Sequence, residues 1–114
     1  MQNIRPEKIN VDDAPRGQGE FMRVLARGEN VAMRIWIEEP PENKASTMHG
    51  HGYEAVRYVI EGRARLHFEE ESVLLTPGDS WMVPSNVRHY YEILETFTAI
   101  EATSPPSNAH LARK

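Results

Sequence analysis

The sequence predicts an all-β protein. Runs rich in Val, Ile, Tyr, Phe and Trp are short, Gly and Pro break them at regular intervals, and helical periodicity is hard to find. Many short strands separated by turns describe a sandwich or a barrel. Residues 1–18 are polar, with Pro6, Pro15 and Gly17, and read as an N-terminal arm. Phe21 to Ala26 and Val31 to Glu38 read as two strands joined by a turn at Arg27-Gly28-Glu29-Asn30. In the second of these, Val31, Met33, Ile35 and Ile37 share one face, and Arg34 and Trp36 share the other. Pro40-Pro41 ends that ladder, because proline has no N–H to donate. Ala55 to Glu61 forms a strand, Gly62 turns the chain, and Arg63 to Glu69 runs on to a solvated tip at Glu69-Glu70-Glu71. Ser72 to Thr76, Ser80 to Val83, Arg88 to Leu94 and Phe97 to Thr103 supply four more strands. The barrel thus spans 19–103, and 104–114 is a C-terminal tail.

A chain of 114 residues is one domain with a modest core. A net charge of -4 argues against nucleic acid as a partner, since phosphate binding needs a basic surface. No apolar run approaches the ~20 residues that cross a bilayer, so no membrane partner is expected. The segment Met1-Gln2-Asn3-Ile4-Arg5-Pro6 lacks an apolar signal core, which predicts a cytoplasmic protein. Zero cysteines exclude disulfides, thiolate metal sites and a cysteine nucleophile, so any metal rests on His and carboxylate.

His49-Gly50-His51 is the most informative motif. Residues two apart in a strand point to the same face, so a strand over 48–60 aims both imidazoles at one point. His89, which follows the Pro77-Gly78-Asp79 turn, supplies a third from another strand. Three imidazoles suffice to hold a divalent transition metal (zinc, iron, nickel or copper) with positions left open for substrate. His67 and His110 have no partner at ligand spacing.

These residues resemble the cupin superfamily. Its first motif is matched by H-G-H-G-Y-E-A-V-R-Y-V-I-E-G from His49 to Gly62, and its second by G-D-S-W-M-V-P-S-N-V-R-H from Gly78 to His89. The resemblance implies a jelly-roll barrel (a double-stranded β-helix), a metal near the barrel axis held by His49, His51 and His89, and a homodimer. Cupins usually carry a Glu or Gln ligand seven residues before the glycine that ends the first motif. Here that slot holds Ala55, and Glu54, one residue earlier, faces the opposite way in a regular strand. The expected site is therefore three histidines without a protein carboxylate. The layout is also similar to the cupins that open ring-form unsaturated uronates in pectin and alginate breakdown. By that resemblance Glu101 stands for their catalytic acid, but Thr103 replaces an aromatic, Ser107 an arginine and Ala55 a glutamine. The likeness therefore extends to architecture and not to substrate.

Two further residues belong to the expected site. Arg57 lies two after Ala55 and points to the same interior, where a guanidinium is costly unless it meets an anion. It serves either as a clamp for a substrate carboxylate or phosphate, or as the partner of Glu101 or Glu92 in an internal ion pair. Tyr91 shares the face of His89 and either donates to an oxyanion or packs in the core. Together these residues suggest a metal-dependent enzyme acting on a small organic or sugar-like acid by isomerisation, tautomerisation or lyase chemistry, with the metal as Lewis acid. Iron-dependent dioxygenation and non-catalytic binding of a small molecule are the alternatives. One fold hosts many reactions, so the architecture does not choose among them.

Overall fold

A computed structural model of the chain describes residues 5–17, 19–42 and 48–106. Six strands and one 3-10 turn, Val11–Asp13, make up its regular structure. The strands are β1 (Met22–Arg27), β2 (Ala32–Glu39), β3 (Glu54–Phe68), β4 (Ser72–Leu75), β5 (Ser80–Val83) and β6 (His89–Ser104). All pairings are antiparallel, in the order β1-β2-β6-β3-β4, with β5 also against β3. The architecture is the all-β jelly roll expected.

Three predicted boundaries are corrected. Gly62 does not reverse the chain: β3 runs through it, and the register against β6 shifts between Val59 and Ala64. With φ +86, Gly62 takes up a bulge that an L side chain rarely tolerates, so the strand bends and goes on. The reversal comes at the acidic tip, where the Phe68 N–H donates to the Glu71 carbonyl at 2.8 Å. Likewise Arg88 to Leu94 and Phe97 to Thr103 are parts of one strand, β6, because the ladder with β3 holds both together. A strand over 48–60 is not found either; β3 starts at Glu54, and the histidine motif lies in the segment before it. Ser107 and His110 lie outside the described residues.

Burial follows the two-residue period of a strand. Ala55 and Val59 are buried on β3, whereas Val56, Tyr58 and Ile60 are about half exposed on the other face. The core gathers Val59, Ala64 and Leu66 of β3, Leu75 of β4, Val83 of β5, and Phe97 and Ala99 of β6. One face of a single sheet thus meets itself across the interior, and a polar site occupies one side of that enclosed space.

Candidate active site

Three backbone contacts bring the histidines together. His49 and His89 exchange N–H···O bonds of 3.1 Å in each direction, which docks the motif on the first residue of β6. The Asn86 N–H donates to the His51 carbonyl at 2.7 Å, tying the motif to the turn before β6. Gly50 permits this approach, since a Cβ there would stand 3.0 Å from the Asn86 carbonyl oxygen. The rings of His49 and His89 each lie 5.8 Å from that of His51, centroid to centroid. His89 is buried, His51 half-buried and His49 exposed. Among the described residues, no three His, Asp or Glu side chains are placed close enough to hold one ion.

The donor chemistry nonetheless fits a divalent metal. Burial lowers the pKa of His51, and the neighbouring His89, His49 and Arg34 lower it further. Burial also lowers that of His89. Both rings are therefore held neutral, the form a metal takes. The His89 Nδ1 lies 2.8 Å from the Val87 carbonyl; a carbonyl only accepts, so Nδ1 carries the proton and Nε2 keeps its lone pair. The ring nitrogens of His49 and His51 make no hydrogen bond with any described residue.

Beside the histidines stands a charge cluster that the sequence shows only in part. Glu101 is fully buried between two guanidiniums: Arg57 Nε donates to Oε2 at 2.6 Å, and Arg34 Nε donates to Oε1. Burial would raise the Glu101 pKa, but Arg57 and Arg34 together hold it below the ordinary carboxylate range. Arg34 also donates to the Tyr53 hydroxyl at 2.9 Å. The Arg57 guanidinium lies between two rings, 4.5 Å from Trp36 and 4.4 Å from Tyr91. Trp81 Nε1 donates to the Tyr91 hydroxyl at 3.0 Å, which directs the hydroxyl's own proton elsewhere. Of the two partners expected for Arg57, Glu101 is found; Glu92 instead lies 2.8 Å from His67 on the exposed side. Ala55 faces the interior beside His51, His89 and Glu101, while Glu54 is exposed.

His49, His51, His89, Arg34 and Arg57 line one open cavity of about 290 Å³, together with Trp36, Tyr53 and Tyr91. Sequence reasoning missed Arg34 and Tyr53. Alternation groups Arg34 with Trp36, but nothing in a single sequence says that this face, and not the Met33–Ile35 face, is turned inward.

The family model described as "Cupin domain" matches residues 35–100. Among solved structures, an RmlC-like cupin from Shewanella frigidimarina is similar at 20% identity and TM-score 0.76, covering 91% of this chain and 95% of that one. KdgF from Halomonas sp. is similar at 21% identity and TM-score 0.72, over 89% and 95%. The polyketide cyclase RemF from Streptomyces resistomycificus aligns at 15% identity and TM-score 0.68, over 96% and 88%. No curated protein matches in sequence. Likeness at these identities speaks for the fold, and with a family match over more than half its length the chain belongs to the cupin family.

Proposed function

We propose that the protein is a metal-dependent enzyme acting on a small organic acid, with His49, His51 and His89 as metal ligands and Arg57 as the binder of the substrate's carboxylate. One observation carries this reading. The cavity is lined by three imidazoles and by two arginines that share the buried Glu101 behind them. Within the Arg34–Glu101–Arg57 cluster two guanidiniums share one carboxylate, and in a half-enclosed space that arrangement favours an anion. A zinc, iron, nickel or copper ion, when bound, acts as a Lewis acid on a carbonyl or hydroxyl oxygen of the substrate.

The chain's own residues supply the rest. Only the Nε of Arg57 is engaged by Glu101, and its two Nη groups make no hydrogen bond with any described residue, so they remain for a carboxylate. Burial raises the Tyr91 pKa, so its hydroxyl keeps its proton and acts as a donor to an oxygen on which charge develops. Glu101, ionised between two arginines, is a poor proton donor; we assign it to positioning Arg34 and Arg57 rather than to the acid role that the resemblance implies. Proton transfer with charge held on oxygen is the requirement of isomerisation, tautomerisation and elimination next to a carboxylate.

The test is metal content. His89→Ala is expected to lose most bound metal and to melt lower than the metal-loaded parent, because an ion that binds only the folded state stabilises it. Undiminished metal stoichiometry in that variant would contradict the assignment. Turnover that stops with a chelator and returns with metal separates an enzyme from a passive binder.

The second copy of a homodimer is assigned to the outer face. There Val56 is flanked across strands by Met82 and Ala102, and Tyr58 by Ile100. Val56, Tyr58, Ile60 and Met82 are 45–49% exposed, an apolar patch of the kind monomers seldom leave open. An antiparallel face of this kind pairs with itself about a two-fold axis. Tyr58→Glu is expected to convert the dimer to a monomer in sedimentation equilibrium, and a parent that is already monomeric would remove this assignment.

A further inference from the structure

The site described above leaves one carboxyl group out. On β2, Trp36 pairs with Ala99 and Glu39 pairs with Phe97, so three steps on one strand meet two on the other. The extra residue is a bulge. Glu38 sits at φ 53, in the left-handed region that a non-glycine residue enters at a cost, and its N–H donates to Thr98 Oγ1 at 2.9 Å. Without the bulge, alternation from Trp36 would turn Glu38 inward and Glu39 out. With it, Glu39 lies opposite the buried Phe97 and lines a second cavity, of about 150 Å³, with Trp36, Arg57, Tyr91 and Ile93. Its carboxyl group makes no hydrogen bond or ion pair with any described residue. Burial and Glu42 push its pKa up, and Arg57 opposes them.

Three side chains, Trp36, Arg57 and Tyr91, line this chamber and the histidine cavity alike. An apolar cavity of roughly 150 Å³ is large enough for a benzene ring. Its lining residues are Trp36, Tyr91, Phe97, Ile93 and Ala99, with Glu39 and Arg57 as the charged ones. A sugar ring would bring several hydroxyls against Trp36, Ile93 and Phe97 without partners. A phenolic ring brings one donor, and Glu39 offers one acceptor.

The geometry points to a second subsite: the Glu39 chamber takes the ring of a hydroxylated aromatic acid, with the ring hydroxyl donating to Glu39 and the carboxylate at Arg57 beside the histidines. This rests on the acid-binding reading above and names its substrate class. Glu39 is then the residue that decides which acids fit.

The experiment is calorimetric binding of benzoate, 4-hydroxybenzoate and glucuronate to the full chain, with and without zinc, for the parent, Glu39→Leu and Glu39→Gln. The parent is expected to prefer 4-hydroxybenzoate over benzoate by about tenfold, the worth of one hydrogen bond to a half-buried carboxyl group. Glu39→Leu loses that preference while its affinity for benzoate stays within about threefold of the parent. Glu39→Gln, which keeps an acceptor in place, retains part of it and guards against a folding defect in the leucine variant. Equal binding of the two benzoates by the parent, or a preference unchanged in Glu39→Leu, overturns the subsite and leaves the acid-binding reading standing. Tighter binding of glucuronate than of 4-hydroxybenzoate overturns the aromatic assignment. Failure of the parent to bind any of the three acids, with or without zinc, overturns both readings.

Discussion

Glu101→Gln is expected to destabilise the protein by about 3–5 kcal/mol, roughly 10–30 °C in Tm for a domain of this size. The substitution keeps the shape of the side chain and removes its charge. Arg34 and Arg57, with side chains 5% and 13% exposed, are then left without their shared anion. One end of the new amide also turns N–H donors toward a guanidinium that can only donate. Loss of one partner of a buried ion cluster costs far more than the cluster contributes against an apolar replacement, because the remaining charges stay desolvated. Replacing all three members, Arg34→Leu with Arg57→Met and Glu101→Leu, is accordingly expected to restore most of the stability and to abolish binding of anionic ligands. Urea midpoints for the single and triple variants decide the matter. If Glu101→Gln costs less than about 1 kcal/mol, the cluster is not desolvated in the way its burial implies.

The same cluster sets the acid limit of the fold. The folded pKa of Glu101 is depressed, so its contribution to stability is fully present above the ordinary glutamate value of about 4.3 and is lost as pH falls through the lower folded value. Stability of the parent is expected to fall in that acid window. The Gln variant, with no carboxyl group there to protonate, is expected to show a shallower fall.

How much of this site is visible in the sequence depends on whether strand alternation holds. Ala55 and Arg57 fall on the inner face and Val56, Tyr58 and Ile60 on the outer one because the start of β3 is regular, and a two-residue period needs no other information. His89 and Tyr91 share the interior for the same reason. Glu39 could not be placed this way. The bulge at Glu38 inverts the alternation, and the residue that takes the left-handed conformation is not a glycine, whose presence would have marked the position. Arg34 was hidden differently: its face was readable, but its burial depends on a counter-charge 67 residues away. His49 is joined to His89 through a backbone bridge outside β3 and not through an extended strand, a contact that alternation does not describe. Among the exposed charges, Arg63 pairs across strands with Glu95 at 3.0 Å, and Arg88 pairs with Glu69 of the acidic tip at 2.8 Å.

Gly62→Ala is expected to cost about 3 kcal/mol or more and to be the most damaging glycine substitution in the barrel. A Cβ at this position would lie 2.0 Å from the Thr96 carbonyl oxygen and 2.7 Å from its carbon, and backbone atoms within a ladder do not give way as a side chain does. Relief requires β3 and β6 to part at the bend, where the inner-face residues pass from odd numbers (Ala55, Val59) to even ones (Ala64, Leu66). Two other glycines separate the components of this cost. Gly78 has φ +93 and nothing within 4 Å of a built Cβ, so Gly78→Ala carries the conformational penalty alone, about 1–2 kcal/mol. Gly52 has neither feature, and Gly52→Ala is expected to lie within about 0.5 kcal/mol of the parent. An ordering of Gly62 far above Gly78, and Gly78 above Gly52, in urea midpoints would attribute the excess at Gly62 to collision with β6. If Gly62→Ala costs no more than Gly78→Ala, the two long strands do not approach as closely as the bend requires, and Arg57, held on the same strand by its contact with Glu101 of β6, is not fixed against the histidines by that packing.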